Sequence, residues 1–379
     1  MRILYITHTD SLGGANQALF QLICSIKDQH DGFDITVIMP YGGDEFARKL
    51  IGVNCRFLRF HFAPCVTVSN SKTFVMNYLM GRINYRRIFK RVKKLDFDLI
   101  HTNSSVCDLG IYLAKRLKVP HIWHVREVLE YYDMRLIMPK NYRKSIESGI
   151  NHVICISNYI KDYIKSRYSN IDARVIYDGF PVFDNEVPKP KQNNNLIVAG
   201  MIYKNKGQLD AIKALSILIN KHNRDDVKLY IVGTHASTRE YESFLMDYVS
   251  EQGLEKNVLF IPYTDKLNEI REKCSIALQC SIMEGFGLIT IESMLNHLLV
   301  IGARSGATCE LIEDGVNGWL YEPNNVEDLA ERINYVLDYE GRNKVRDDAY
   351  NWAKKNFDIR VAAREFMKLY EEVLSVADE

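Results

Sequence analysis

Short runs rich in apolar and β-branched residues alternate with stretches of helical periodicity along almost the whole chain, and this alternation restricts the fold more than any single motif. In the first half the runs are RILYIT, DITVIMP, DLIHTN, HIWHV, HVICIS and ARVIYDG. In the second they are NLIVAG, KLYIVG, NVLFIP, IALQCS and LLVIGA. Helical spacing lies between them, as over residues 17–27 and 209–220. Such a chain reads as stacked βαβ units, with parallel sheets covered on both faces. DNEVPKPKQNNN separates the halves: two prolines, asparagines and no apolar period mark a linker, after which the strand series restarts. The expected architecture is α/β, with two Rossmann-like doubly wound domains facing a central cleft. Their bounds are 1–183 and 196–357, with the linker over 184–195. The tail, 358–379, carries RVAAREFMKLYEEVL, an amphipathic helix expected to pack back on the first domain.

A chain of 379 residues is long enough for two cores. Its net charge of +1 gives no global field for nucleic acid, so none is expected as a partner. The apolar run at RILYI is too short for a signal-peptide core, and no eighteen apolar residues run together. Eight cysteines include no CxxC pair, and several, such as Cys155 in HVICIS, sit in strand text. Reduced, buried thiols of a cytoplasmic protein fit this, and a zinc site or disulfide framework does not.

EGFGLITIE, residues 284–292, holds two acids eight positions apart around two glycines and an apolar run. It lies between a predicted strand, IALQCS, and a predicted helix, LITIESMLNH. In one continuous helix the acids would be about 12 Å apart along the axis. With Gly285 and Gly287 turning the chain first, Glu284 curls over the helix start and Glu292 enters its second turn. The N–H groups of residues 287–290 are then expected to be unpaired and to favour a phosphate. Glu292 suits a ribose diol and Glu284 sugar hydroxyls. Read alone, the spacing equally fits a solvated loop acid and a helix-surface acid.

EGFGLITIESM resembles the E-x7-E motif of retaining glycosyltransferase family 4, which has the GT-B fold. SLGGANQAL, FDLIHTNSS, VPHIWHVRE, LIVAGMIYKNKGQLDAIKAL, LYIVGT, NVLFIPY and GATCELIEDGVNGWL follow in the family's order. The resemblance implies transfer of a sugar from a UDP- or GDP-linked donor to a glycan or lipid-linked acceptor, in cell-surface polysaccharide synthesis. It implies retention of the anomeric configuration, no cofactor and no metal. By the same resemblance Glu284, His124 and Lys206 are the catalytic candidates. Donor binding falls to Gly14, Lys206, Glu284, Gly285, Phe286, Gly287, Leu288, Ile289, Thr290, Glu292 and Pro262. Gly13, Asn16, Arg126 and Glu127 are acceptor-side candidates, with His101 and Asn103 behind them. The family has an arginine after the strand glycine, whereas Met201 follows Gly200 here. Lys204 or Arg126 is the expected substitute cation. DFD, residues 96–98, resembles a metal-binding Asp-x-Asp but precedes its strand, so it reads as loop.

RINYRRIFKRVKK, residues 82–94, holds seven basic residues and no acid. Ile83, Ile88, Phe89 and Val92 form a stripe at helical spacing. The stretch fits either a helix on an anionic membrane surface, placing the protein peripherally on the inner face, or a helix packed on a sheet. Two other functions share parts of this pattern: a nucleotide-sugar 2-epimerase with two such domains, and a non-catalytic sugar-nucleotide binder.

Overall fold

Parallel pairing of the apolar runs builds two separate sheets in the computed structural model, which describes residues 1–68, 71–149, 151–169, 171–182, 193–234 and 239–377. The linker expected at 184–195 lies outside the described residues as far as 192. Contacts divide the chain into unit 1, Met1–Pro181 with Phe357–Glu379, and unit 2, Val182–Asn356.

Unit 1 contains β1 (Arg2–Ile6), α1 (Gly14–Gln29), β2 (Asp34–Pro40), α2 (Glu45–Gly52), β3 (Arg56–Phe60), β4 (Val66–Val68), α3 (Lys72–Val92), β5 (Leu99–Thr102) and α4 (Leu109–Leu117). It continues with β6 (His121–Val125), β7 (Met134–Leu136), α5 (Pro139–Ile146), β8 (Asn151–Cys155), α6 (Asn158–Arg167) and β9 (Ala173–Val175). The sheet order is β3-β2-β1-β5-β6-β8-β9, and β4 and β7 form a separate antiparallel pair. β1 is paired on both sides, Leu4 with Thr36 and with Ile100. β3 and the β4–β7 pair are absent from the sequence expectation. β3 (RFLRF) carries two arginines on a half-exposed edge and so lacks the apolar signature of its neighbours.

Unit 2 contains β10 (Leu196–Ala199), α7 (Gln208–His222), β11 (Leu229–Val232), α8 (Glu240–Glu251), β12 (Val258–Ile261), α9 (Leu267–Arg271), β13 (Ile276–Gln279) and α10 (Leu288–Leu295). β14 (Leu299–Ala303), α11 (Thr308–Leu311), β15 (Trp319–Tyr321), α12 (Val326–Asp338) and α13 (Arg342–Asn356) complete it. Its sheet order is β12-β11-β10-β13-β14-β15, with every pairing parallel. Leu196, Leu229, Ile276 and Ile301 are buried in one cluster with Ala211, Leu215 and Ile333 of the covering helices.

The last helix, α14 (Ile359–Ala377), joins unit 1. Ala363, Phe366, Tyr370 and Val373 recur at helical spacing and are buried against Leu19, Leu22 and Ile23 of α1 and Tyr5 of β1. The Tyr370 hydroxyl hydrogen-bonds that of Tyr5 at 2.7 Å.

The inner face of the basic stretch in α3 packs on the sheet. Ile88 and Val92 are fully buried with Leu4 and Ile100, and Phe89 packs against the same cluster, whereas Ile83 is exposed. The stripe read from the sequence is therefore mostly core, because the sheet lies beneath that face. Asp96 and Asp98 stand before β5 and receive the Arg2 guanidinium at 2.8 and 3.1 Å, as loop residues at the amino end of the sheet. Among the described residues no helix is long and apolar enough to cross a membrane.

Candidate functional site

In unit 2 the first strand, β10, lies between β11 and β13, so successive connections run in opposite directions from it. The loops after β10 and β13 therefore start from neighbouring strand ends, the place where open α/β sheets bind ligands. Lys206 lies in the first loop and Glu284 in the second. Lys206 Nζ donates to Glu284 Oε2 at 2.8 Å across 78 residues of sequence. Gln279 Nε2 reaches the same oxygen at 3.2 Å from the end of β13. The pair is mostly buried, with side-chain exposures of 21% and 15%.

Glycine brings these loops together. Gly207 caps α7 with φ +70, and a Cβ there would lie 2.3 Å from the Cys280 carbonyl oxygen. Gly306, with φ +55, packs on the Glu284 backbone, where a Cβ would sit 2.6 Å from the carbonyl oxygen. Ala307 N donates to that carbonyl at 2.9 Å. Glu284 is thus fixed from both sides, through its side chain by Lys206 and through its backbone by the β14–α11 loop.

Gly287 opens α10 with φ +97. Among the described residues the N–H groups of Gly287, Leu288 and Ile289 meet no acceptor, but Thr290 N donates to the Gly287 carbonyl at 2.9 Å. The expected row of unpaired amides is therefore one shorter, because the first turn closes on its own cap. Phe286 is buried beside this start. Glu292 lies in the second turn, and Arg271 Nη2 of α9 donates to its Oε2 at 2.5 Å. Arg271 is 4% exposed and also donates to Asn268 at 3.0 Å. No motif points to Arg271, which is 21 residues from its partner. Met201 follows β10 and is 44% exposed, a thioether where a cation was sought. Pro262 follows β12 on the sheet edge and is exposed.

In unit 1 the β1–α1 loop closes on itself. Asn16, 1% exposed, donates to the Thr9 and Ser11 carbonyls at 2.9 and 2.8 Å and accepts from the Thr7 hydroxyl. It braces the loop, so its amide is not spare for an acceptor. Gly13 precedes α1 at φ −63, and a Cβ there would meet no atom within 4 Å, so neither strain nor crowding requires glycine; Gly14 is the first residue of α1. Glu127 accepts from Ser104 Oγ at 2.5 Å and from Ser105 N at 3.1 Å. Arg126 is bidentate to Asp178 at 2.5 and 2.9 Å and donates to Asn103 at 3.1 Å. With its charge matched by a buried carboxylate, Arg126 is not the substitute cation for Met201. Of the four acceptor-side candidates, Asn16, Arg126 and Glu127 spend their polar groups on the internal wiring of unit 1.

His124 ends a buried relay. The Tyr5 and Tyr370 hydroxyls are 2.7 Å apart, the Tyr370 hydroxyl is 2.9 Å from His101 Nδ1, and His101 Nε2 is 3.3 Å from His124 Nδ1. Arg126 Nη2 stands 3.4 Å from the same His124 nitrogen. Arginine only donates, so His124 Nδ1 accepts and the proton of the neutral ring resides on Nε2. The direction then propagates: Tyr5 donates to Tyr370, Tyr370 to His101, and His101 to His124. His124 Nε2 is buried with no partner among the described residues, and the ring is fully enclosed, so this catalytic candidate presents no surface to a substrate here. Burial, then Arg126 and the neighbouring ring, hold both His101 and His124 well below the usual histidine value.

His121 is also buried and held down to about 4. A group whose pKa is depressed by folding contributes stability that is full above its unfolded pKa and lost as pH falls toward the folded value. Stability should therefore decline from about pH 6.5 toward pH 4, each buried histidine adding a slope of up to about 1.4 kcal/mol per pH unit. Urea melts at pH 7, 6 and 5 check this. Equal midpoints at pH 7 and 5 would contradict the burial of neutral rings.

Residues 12–182 match the model for Glycosyltransferase Family 4, and residues 180–356 that for Glycosyl transferases group 1. An uncharacterised glycosyltransferase of Methanocaldococcus jannaschii is 26% identical over 96% of this chain and 95% of its own length. The Campylobacter jejuni α-1,4-N-acetyl-D-galactosaminyltransferase named for a diphospho-undecaprenol-linked glycan is 23% identical over 98% and 99%. The structure of Anabaena HepE in complex with UDP and glucose superposes with a TM-score of 0.79 at 20% identity, over 98% of this chain and all of that one. Sucrose-phosphate synthase of Thermosynechococcus elongatus gives 0.76 at 17% over 99% and 100%. These likenesses give the two-sheet fold.

Proposed function

The chain belongs to glycosyltransferase family 4 and has the GT-B fold, and from that premise we propose that it moves a sugar from a UDP- or GDP-linked donor to a glycan or lipid-linked acceptor, with retention and without a metal, in polysaccharide synthesis. The observation that carries the reading is the Lys206–Glu284 pair at the switch point of the unit 2 sheet, beside the open amides of α10. A cation and a helix start suit the diphosphate, and the carboxylate suits sugar hydroxyls. Glu292 keeps one oxygen for a ribose diol while Arg271 holds the other. UDP in the Anabaena complex and the lipid-linked glycan in the Campylobacter relative's name support the two substrate classes.

The acceptor hydroxyl forms a bond to the anomeric carbon on the face from which the bond to phosphate oxygen breaks. Its proton passes to that leaving oxygen. Lys206 and the amides of residues 287–289 stabilise the charge growing on the diphosphate. Gly13 and Gly14 leave room for a substrate at the start of α1.

Incubation with UDP- and GDP-sugars and excess EDTA tests this. Slow release of UDP or GDP without acceptor, and a product of unchanged anomeric configuration with one, are expected. A donor epimer as sole product, tight donor binding without release, or an inverted product would overturn it. Arg271→Met should raise the donor KM about tenfold and change kcat by less than about twofold, because it loosens a carboxylate remote from the bond being broken. Initial rates over a donor series check this.

A further inference from the structure

Among the described residues the outer face of α3 has no partner in unit 1, although its inner face is firmly held. Tyr78 and Tyr85 each donate to Asp108 at 2.7 Å, and Arg82 pairs with the same carboxylate at 2.6 Å. At Gly81 a Cβ would approach the backbone of Phe62 and Ala63 to 3.0 Å. The helix is thus fastened as a rigid rod, about 30 Å long. Met76, Leu79, Met80 and Ile83 point away from that attachment, each between 45% and 64% exposed. They are spaced i, i+3, i+4 and i+7, one continuous stripe. The stripe continues into Arg86, Arg87, Lys90, Arg91 and Lys94, all exposed.

Residues 72–94 contain no acid, and among the described residues no carboxylate pairs with Arg86, Arg87, Lys90 or Arg91. In a chain of net charge +1 this is a strong local concentration of like charge. An isologous second copy would bring these charges toward each other or set them on the apolar half. A nucleic acid would use the basic half and leave the apolar side chains in water. A bilayer containing anionic lipid satisfies both halves, with the phosphates meeting the guanidinium and ammonium groups and the acyl boundary taking the methionines, leucine and isoleucine.

We infer that the outer face of α3 docks unit 1 on an anionic lipid surface, with Met76, Leu79, Met80 and Ile83 inserted and the basic end lying over the headgroups. This differs from the stripe suggested by sequence, two of whose four members are core. It requires no donor, so it stands or falls separately from the transferase reading.

Flotation of the full chain with vesicles of phosphatidylcholine alone, or with about 30% phosphatidylglycerol, is measured without nucleotide sugar. The chain should float with the anionic vesicles in about 0.1 M salt and lose at least about tenfold of its partition in about 0.5 M salt. The Arg86→Glu, Arg87→Glu, Lys90→Glu variant should lose about 100-fold or more, since each basic group near such a surface is worth about fivefold. The Leu79→Ser, Met80→Ser, Ile83→Ser variant should lose about tenfold or more. All six positions are exposed, and unchanged thermal melts confirm that the variants fold. Failure of the unaltered chain to float, or flotation that both variants retain, overturns the inference. So does binding of single-stranded RNA in place of vesicles, or a dimer that the serine variant dissociates.

Discussion

Lys206→Ala should lower kcat at saturating donor by about 10²–10³-fold, the loss expected when one preorganised donor to a developing anion is removed. Its Nζ is the group that ties the β10 loop to Glu284 at 2.8 Å, and residue 201 is methionine where the family has arginine. The same change should cost only about 1–2 kcal/mol of stability, because Glu284 keeps Gln279 and partial solvent access. Activity and stability should therefore separate. Single-turnover rates with the donor in excess, set beside urea melts, make the comparison. Lys206→Ala enzyme that turns over normally at saturating donor would remove the electrostatic account. Lys206→Arg, which keeps charge but not shape, should recover part of the rate.

The largest effect on stability is expected in unit 1. Asp178→Ala leaves Arg126 buried, with a side chain 5% exposed and its matching charge gone. Stranding one member of such a pair costs about 3–5 kcal/mol, enough to lower Tm by about 10 °C in a domain of this size. Replacing both, as Arg126→Met with Asp178→Leu, should recover much of that loss, because the penalty belongs to the unpaired charge and not to the absence of the pair. Calorimetry on the two variants decides it. Equal losses would mean that Arg126 matters chiefly through Asn103 and His124, which it also contacts.

Much of this architecture was legible because buried parallel strands carry a nearly continuous apolar signal, and both sheets are built mainly from such strands. β3 escaped because an edge strand with Arg56 and Arg59 resembles loop. The glycine loop at 284–292 was legible as a turn into a helix since Gly287 adopts the left-handed conformation that its sequence advertises. Partnerships were not. Nothing local joins Lys206 to Glu284 or Arg271 to Glu292, which meet only because β10 and β13 are neighbours and α9 precedes β13. For α3 the sequence left a membrane stripe and a sheet-packed stripe open, and Ile88 and Val92 take the second course because the sheet lies beneath them. Asn16, Arg126 and Glu127 are polar residues in conspicuous loops, and the loops themselves consume their hydrogen bonds.

The return of α14 to unit 1 sets an order of events during synthesis. Unit 2 is one unbroken stretch, so its sheet is complete once residue 356 has left the ribosome. Unit 1 begins to emerge first yet lacks Ala363, Phe366, Tyr370 and Val373, which cover Leu19, Leu22 and Ile23 only after the last helix is made. For the time taken to translate about half the chain, the apolar side of α1 lacks the cover of α14 and rests on the sheet residues. The relay that ends on His124 is wired through Tyr370, so it is assembled only in that final step.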